Sequence, residues 1–167
     1  MTAGPHLQRV VLLVHIVASV GWMGGAFAFL AFGLVGLTSA DEPTVRGVYL
    51  VMEPAAWFVL VPLAGLALTT GIIESFITPW GLVRHYWVVF KLLITLFATM
   101  VLLLYMNTFR ILADAARDPN TALGTVRNAS PVLHASLALA LLLVATVLAV
   151  YKPHGLTPYG ARRPRPQ

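Results

Sequence analysis

The chain of 167 residues has no cysteine, which excludes disulfide bonds, thiolate metal sites, iron–sulfur clusters and covalently attached c-type haem. Charged residues are also scarce, at 10% of the chain against 59% hydrophobic residues, and the mean hydropathy is +0.84. These values lie outside the range of soluble globular domains and are typical of an integral membrane protein. We therefore expect the lipid bilayer to be the main partner of this chain.

Several enzyme and binding motifs are also missing from the sequence. It contains no His-Glu-x-x-His metal motif, no phosphate-binding loop and no nucleophile elbow. The net charge of +5 comes from basic residues beside the apolar runs, where anionic lipid headgroups are the nearest partners. No basic stripe with interleaved aromatic residues is present, so we do not expect nucleic-acid binding.

Four apolar runs are each long enough to supply the roughly 20 residues that cross a bilayer. The predicted spans cover residues 10–37, 54–77, 86–106 and 132–151. Short polar connections make consecutive spans antiparallel neighbours, so the predicted fold is all-α, an integral-membrane up-down-up-down four-helix bundle. Residues 1–152 form this single domain, and residues 153–167 form a basic, proline-rich cytoplasmic tail that we expect to be extended or disordered.

The distribution of lysine and arginine around the spans predicts the orientation. The side that holds both termini carries six basic residues, Arg9, Arg84, Lys152, Arg162, Arg163 and Arg165. The opposite side carries four, Arg46, Arg110, Arg117 and Arg127. The positive-inside rule therefore predicts a multi-pass protein of a bacterial-type plasma (inner) membrane, with both termini in the cytoplasm.

The stretch HIVASVGWMGG in the first span combines a histidine with a tryptophan on one helix face. His15 and Trp22 are seven residues apart, which returns nearly to the same angle around a helix. An imidazole is costly in a bilayer, so we interpret this face as a slot for a flat ligand, bound by His15 and walled by Trp22. The alternative is a histidine that only bonds a neighbouring backbone. On an adjacent face, Gly21 and Gly25 form a GxxxG pair that suits another helix, including one from a second copy or another membrane protein.

Further polar residues fall into two layers along the membrane normal. Lys91 lies at about the depth of His15, where it either snorkels to the interface or faces inward toward Glu74 or a ligand carboxylate. Tyr105 and His134 lie at a matching depth near the opposite side and form a second candidate site. His15 and His134 are more than about 10 Å apart along the normal, too far to bind one metal ion from opposite faces.

Histidines that project into a membrane four-helix bundle are the usual ligands of b-type haem. Haem b is therefore the predicted cofactor, with His15 and His134 as the candidate metal ligands. His15 is the preferred axial ligand, and His134 with Tyr105 is the second candidate site. Copper is the alternative, because the thioether of Met23 lies near the His15 face and soft ligands suit Cu(I).

The pattern of His15, Trp22, Gly24 and Gly25 resembles the signature of CopD-type copper-resistance membrane domains and HemJ-type protoporphyrinogen oxidases. The run KLLITLFATMVLLLY from Lys91 resembles the lysine-led third helix of both groups. The segments TPWGLVRHYWVVFKLL and VYKPHGLTPYG are similar to those of an uncharacterised family of small four-span bacterial membrane proteins, a likeness that extends over nearly the whole chain. The resemblance implies a haem-binding bundle in which His15 and Lys91 match residues used to oxidise protoporphyrinogen IX.

The sequence thus predicts a membrane protein that binds haem or a porphyrin and has a redox role, including HemJ-like porphyrinogen oxidation. One alternative is a membrane transporter that handles copper or protons. Another is a helical partner subunit without a cofactor. The sequence identifies no catalytic residue, substrate or electron donor.

Overall fold

A computed structural model describes residues 4–162, and the remainder of the predicted tail, residues 163–167, lies outside the described part. Its helices are α1 (Pro5–Thr38), α2 (Glu42–Ala55), a π-helical turn (Ala56–Leu60), α3 (Val61–Ile77), α4 (Tyr86–Arg117), α5 (Leu123–Val126), α6 (Ser130–Tyr151) and α7 (Pro158–Ala161). Within residues 4–162 there is no β-sheet, only an isolated bridge between His85 and Leu156. The predicted all-α fold is confirmed.

Four helical rods are long and apolar enough to cross a membrane, and they form the bundle. They are α1, the continuous rod Glu42–Ile77 that contains α2 and α3, α4, and the segment Leu123–Tyr151 that contains α6. Many large apolar side chains on these rods point outward, among them Val20, Phe58 and Leu104. Such an apolar exterior fits contact with lipid, and the predicted four-helix membrane bundle agrees with this architecture.

The second rod begins earlier than its sequence predicts. The sequence predicts a start after Glu53, because proline favours the first turn of a helix. The helix instead begins at Glu42, where the Asp41 side chain accepts a hydrogen bond from the Thr44 backbone N–H at 3.0 Å. Hydrogen bonds from the Thr44 hydroxyl and N–H also lower the pKa of the Asp41 carboxyl. Pro54 lies inside the rod, and the π turn that follows it accommodates the interrupted hydrogen-bond ladder.

Helix neighbours in the bundle follow chain order. Helix α1 packs between α3 and α6, and α4 packs between α6 and the α2–α3 rod. Helices α1 and α4 therefore lie opposite each other, along the diagonal of the four-rod bundle. The start of α1 and the end of α6 meet at one end of the bundle, which we call the termini end, and it also contains the α3–α4 loop. The opposite end, with the α1–α2 and α4–α6 connections, is the far end.

The far end is filled by a solid core. Its largest fully buried side chains are Tyr49, Met52, Val45 and Val126. The Tyr49 hydroxyl donates to the Asn128 carbonyl at 3.1 Å and accepts from the Asn128 N–H at 2.9 Å, which fastens the connection before α6. Arg46 donates to the carbonyl oxygens of Asp118 and Thr121 at the end of α4. These bonds satisfy backbone groups and close this end of the bundle.

The described part of the C-terminal tail is held against the α3–α4 loop. The Thr157 N–H donates to the Arg84 carbonyl at 3.0 Å, its hydroxyl donates to the Val83 carbonyl at 2.6 Å, and the Tyr86 N–H donates to the Gly155 carbonyl at 3.2 Å. Gly160 packs so closely on the Arg84 carbonyl that a side chain there would collide with it. Residues 153–161, which we call the C-terminal strap, are therefore ordered, because pairing with the loop satisfies their backbone groups. Of the two alternatives that the sequence left open, an extended or a disordered tail, the disordered one does not apply to the strap.

The two glycines of the GxxxG pair pack inside the chain. A Cβ on Gly25 would lie 2.6 Å from Leu60 Cδ2, and one on Gly21 would lie 3.3 Å from the Leu63 methyl groups. Both leucines belong to the second rod, so this glycine face lets α1 approach that rod closely. A second copy or another membrane protein that docks through these glycines stays a prediction.

Candidate ligand-binding site

A cavity of about 460 Å³ lies between the four rods at the termini end. Its volume is within the range of roughly 300–1,000 Å³ that is usual for small-molecule sites. Three of the five residues predicted to bind a cofactor line it, namely His15, Trp22 and Lys91. The slot inferred from the first span therefore corresponds to a cavity to which all four rods contribute.

His15 is buried, with 7% of its surface exposed, and its Nδ1 lies 3.1 Å from the Thr70 hydroxyl oxygen. The Thr70 hydroxyl has a single proton, which it donates to the Leu66 carbonyl of its own helix. It therefore accepts from His15, so Nδ1 carries the imidazole proton. The other ring nitrogen, Nε2, is left with its lone pair as an acceptor.

Lys91 supplies the donor to that lone pair. Its Nζ lies 3.0 Å from His15 Nε2, and the bond runs from α4 to α1 along the diagonal of the bundle. Of the two alternatives that the sequence left open, the inward orientation of Lys91 is the one observed. His15 is thus bonded at both nitrogens, to the hydroxyl of Thr70 and to the ammonium of Lys91.

Two residues that the sequence interpretation missed create the space for this arrangement. Thr70 sets the imidazole proton, and Gly71 lies against the ring, where a Cβ would be only 3.1 Å from His15 Cε1. Both belong to the short run TTG in the second rod, which interrupts an otherwise apolar helix. That run of small and polar residues was the available signal, but it gave no indication of which helix it faces.

Tryptophan side chains form much of the wall and the mouth of the cavity. Trp22 is 3% exposed, and Trp87 is 7% exposed with an indole N–H that has no hydrogen-bond partner among residues 4–162. The rings of Trp87 and Trp80 meet edge to face at 5.5 Å between centroids. Lys152, at the end of α6, lies with its Nζ 5.1 Å from the centre of the Trp80 ring. The α3–α4 loop, through Trp80, and the end of α6, through Lys152, thus meet at the cavity.

An acidic residue also faces this cavity. Glu74 lines it, yet within residues 4–162 its carboxylate makes no hydrogen bond and no ion pair within 4.0 Å. It attracts Lys91 electrostatically, and Lys152 repels Lys91. The cavity therefore carries two cationic side chains and one anionic side chain around an otherwise largely apolar space.

The other predicted pair, Tyr105 and His134, is brought together outside this cavity. The two rings stack at 3.9 Å between centroids with an angle of 25°. The Tyr105 hydroxyl donates to the Ser130 hydroxyl at 2.8 Å, and His134 Nδ1 donates to the Ser130 carbonyl at 2.9 Å. The pair thus joins α4, which carries Tyr105, to the start of α6, which carries His134, and it lies outside the cavity that His15 lines. Within the described part of the chain, no cluster of three or more histidine, aspartate or glutamate residues is arranged to hold a metal ion.

Comparisons of the chain with protein-family models, with curated proteins and with solved structures find no match. The resemblances to CopD-type, HemJ-type and small four-span membrane proteins therefore remain predictions from the sequence. The functional assignment depends on the chemistry of the cavity itself.

Proposed function

We propose that this chain is an integral membrane protein that binds a porphyrin, as haem b or without iron, and serves redox chemistry in the membrane. The observation that carries the proposal is the hydrogen-bonded pair of His15 and Lys91 in the wall of a cavity of about 460 Å³. A porphyrin is a flat, apolar body with carboxylate side chains. A largely apolar cavity with a few convergent polar groups is the kind of site that binds such a molecule.

Each predicted residue of the cavity has a role in this proposal. The indole of Trp22 provides an apolar wall for the macrocycle, and aromatic rings favour offset or edge contacts with other rings. The ammonium of Lys91 attracts a carboxylate of the ligand. His15 is the only histidine in the lining formed by the described residues, so it is the residue of the cavity that suits haem iron.

Iron binding imposes an additional requirement. Imidazole binds iron through a lone pair, and the lone pair of His15 is on Nε2, which accepts from Lys91. Lys91 must release Nε2 before His15 can bind iron, whereas an iron-free porphyrin makes no such demand. Haem iron, when bound, would supply the electron-transfer chemistry. The chain would provide an apolar pocket, the Lys91 ammonium that binds a carboxylate of the ligand, and the His15 imidazole.

Absorption spectroscopy of the purified protein tests this proposal. The protein is produced with a haem precursor, purified in detergent, and titrated with haem and with protoporphyrin IX. We expect a bound porphyrin with a Soret band. We expect His15→Ala to alter the haem band but to retain iron-free porphyrin, and Lys91→Met to weaken both.

The His134→Ala variant is the matched control, because this histidine lies outside the cavity. A haem band lost in His134→Ala and kept in His15→Ala would move the site to the Tyr105–His134 pair. If the wild-type protein shows no Soret band with either porphyrin, the proposal is wrong.

Proton handling is a second candidate, favoured by the same hydrogen bond. Two basic side chains in contact inside an apolar bundle, with Glu74 facing the same cavity, are groups that pass protons in membrane proteins. Vesicles that contain the protein and a pH-sensitive dye would then show proton flux that Lys91→Met abolishes. The copper alternative has Met23 and His15 in the lining of the same cavity, and elemental analysis for stoichiometric copper tests it.

A further inference from the structure

We propose that the cavity opens sideways into the bilayer between α1 and α6, and that its ligand enters and leaves from the lipid phase through this lateral opening. The inference rests on the proposed function and deepens it, since it names the class of ligand, an apolar molecule dissolved in the membrane. The residues that form the edges of the opening are separate from His15 and Lys91, which hold the ligand in the proposed function.

The first support is the distribution of exposed residues around the cavity. The lining residues that α3 and α4 contribute are buried or half-buried, so these helices form its closed side. In the lining formed by residues 4–162, Trp80 of the α3–α4 loop is exposed, and the other exposed residues belong to α1 or to α6 and its cap, namely Leu12, Ile16, Val20, Thr146, Val150 and Lys152. The wall of the cavity is therefore interrupted where α1 faces α6.

The exposed lining residues form a stripe on each of the two helices. On α1, Leu12, Ile16 and Val20 are four residues apart, so they follow one face for about 12 Å at about 1.5 Å per residue. On α6, Thr146 and Val150 are also four residues apart and form a shorter stripe. Because α1 and α6 are neighbours in the bundle, the two stripes are the edges of one opening, and we call these five residues the rim.

The opening is confined to one half of the α1–α6 pair. Toward the far end the two helices touch, since a Cβ on Gly33 would lie 2.8 Å from Val132 Cγ2. Beside the cavity, α6 instead contributes the small side chains of Ala145 and Ala149 to the lining, which leave space next to α1. The pair is thus closely packed toward the far end and open toward the termini end.

The chemistry of the rim suits an apolar ligand that comes from lipid. Four rim residues are aliphatic, and the hydroxyl of the fifth, Thr146, is satisfied because it donates to the Leu142 carbonyl of its own helix at 2.8 Å. Entry from water at the termini end would instead pass the charged side chains of Glu74 and Lys152. The apolar ring of a porphyrin is transferred favourably from water to hydrocarbon, so it is concentrated on the lipid side of the rim.

Binding kinetics in lipid vesicles test this inference. The protein is reconstituted in phosphatidylcholine vesicles and mixed with protoporphyrin IX, and association is followed by stopped-flow absorption at the Soret band. Empty vesicles give the correction for partition of the porphyrin into the bilayer. Release is measured by exchange against an excess of zinc protoporphyrin IX, which absorbs at a different wavelength, and an equilibrium titration gives the Kd.

Val20→Trp and Val150→Trp are the decisive variants, because they place a bulky ring on each edge of the opening. Val20 is 64% exposed and Val150 is 70% exposed, so the larger side chains fit without disturbing the core. An obstacle at the opening raises the barrier in both directions. We expect association and release to slow by the same factor, about tenfold for an added barrier of about 1.4 kcal/mol, with a nearly unchanged Kd.

Val17→Trp and Val147→Trp are the matched controls. Val17 is 60% exposed on α1 and Val147 is 46% exposed on α6, and both lie outside the cavity lining. These variants add the same ring to the same helices away from the rim. Their rates of association and release should match the wild type, as should the circular dichroism of all four variants.

An accessibility measurement tests the opening without a porphyrin. A nitroxide is attached to the Ser19→Cys variant, because Ser19 lines the cavity and the chain has no native cysteine. We expect its collisions with oxygen, which is concentrated in hydrocarbon, to approach those of a nitroxide at Val17→Cys on the outer face of α1. Collisions with a water-soluble nickel chelate should be few, and addition of Val20→Trp should reduce the collisions with oxygen.

The possible failures are distinguishable. If the wild-type protein binds no porphyrin, the proposed function is wrong, and the nitroxide at Ser19→Cys still decides whether the cavity opens to lipid. If the rim variants bind and release porphyrin at the wild-type rates, or lose affinity without slower release, the porphyrin site stands and the lateral route is refuted. Frequent collisions with the nickel chelate and few with oxygen would show that the cavity opens to water, which would also overturn the inference.

Discussion

His15 illustrates how a polar side chain is tolerated in an apolar bundle. A buried imidazole is stable only when its nitrogens have partners, and here Thr70 accepts from Nδ1–H while Lys91 donates to Nε2. The same bonds fix which nitrogen carries the proton and keep the ring against the cavity. The residue is therefore held in one orientation and one protonation pattern before any ligand arrives.

Replacement of Thr70 by valine tests this account at the level of a single residue. Valine has nearly the same shape but no acceptor, so His15 loses the Thr70 hydroxyl and keeps only the Ala67 carbonyl and Lys91 as polar partners. We expect Thr70→Val to lower the free energy of unfolding by about 1–3 kcal/mol, measured by thermal or denaturant unfolding in detergent.

Thr69→Val is the matched control for that measurement. Thr69 is exposed on the same helix, and its hydroxyl bonds only to the Gly65 carbonyl within its own helix, at 2.7 Å. We expect a small change in stability for this variant. An equal loss of stability in both variants would show that Thr70 contributes through its own helix and not through His15.

Among the helices, α1 makes close contacts with its neighbours, and glycines permit them. Gly33 is buried against the start of α6, where a Cβ would lie 2.8 Å from Val132 Cγ2 and 3.2 Å from the Val132 backbone nitrogen. Gly24 lies on the outer face of α1, where a Cβ would meet no atom of another described helix within 4 Å. The two positions differ in packing and not in secondary structure.

Gly33→Ala should therefore destabilise the protein, while Gly24→Ala should not. The added methyl group at Gly33 meets backbone that cannot move without separating α1 from α6, and such overpacking costs about 1–3 kcal/mol. At Gly24 the methyl group only improves helix propensity. Thermal unfolding of both variants in detergent measures the difference, and equal midpoints would contradict the packing of α1 on α6.

At the scale of the whole molecule, the two ends of the bundle are built differently. The far end is closed by fully buried side chains such as Tyr49 and Met52, whereas the termini end contains the cavity. The C-terminal strap is bonded to the α3–α4 loop beside the cavity mouth. A ligand of the proposed kind therefore has its site near one membrane surface.

The orientation of the bundle can be tested directly because the chain has no cysteine. The positive-inside rule predicts that the termini end faces the cytoplasm. We expect Gly124→Cys, in the connection at the far end, to react with an impermeant maleimide in intact cells, because a side chain there meets no described atom within 4 Å. His154→Cys, in the exposed part of the strap, should react only after the cells are permeabilised. The reverse pattern would show that the orientation is inverted.

Local properties of the chain were sufficient to predict four apolar helices, their order and the matching level of His15 and Lys91 in the bundle, because hydropathy and helical periodicity depend on neighbouring residues alone. The start of the second rod at Glu42 was missed, since a π turn allows Pro54 to lie within a helix. The bond between His15 and Lys91, and the partner residue Thr70, depend on which helix faces meet across the bundle. Those contacts join residues at least 55 positions apart, and no local pattern specifies them. They became visible only when the packed arrangement of the rods was known.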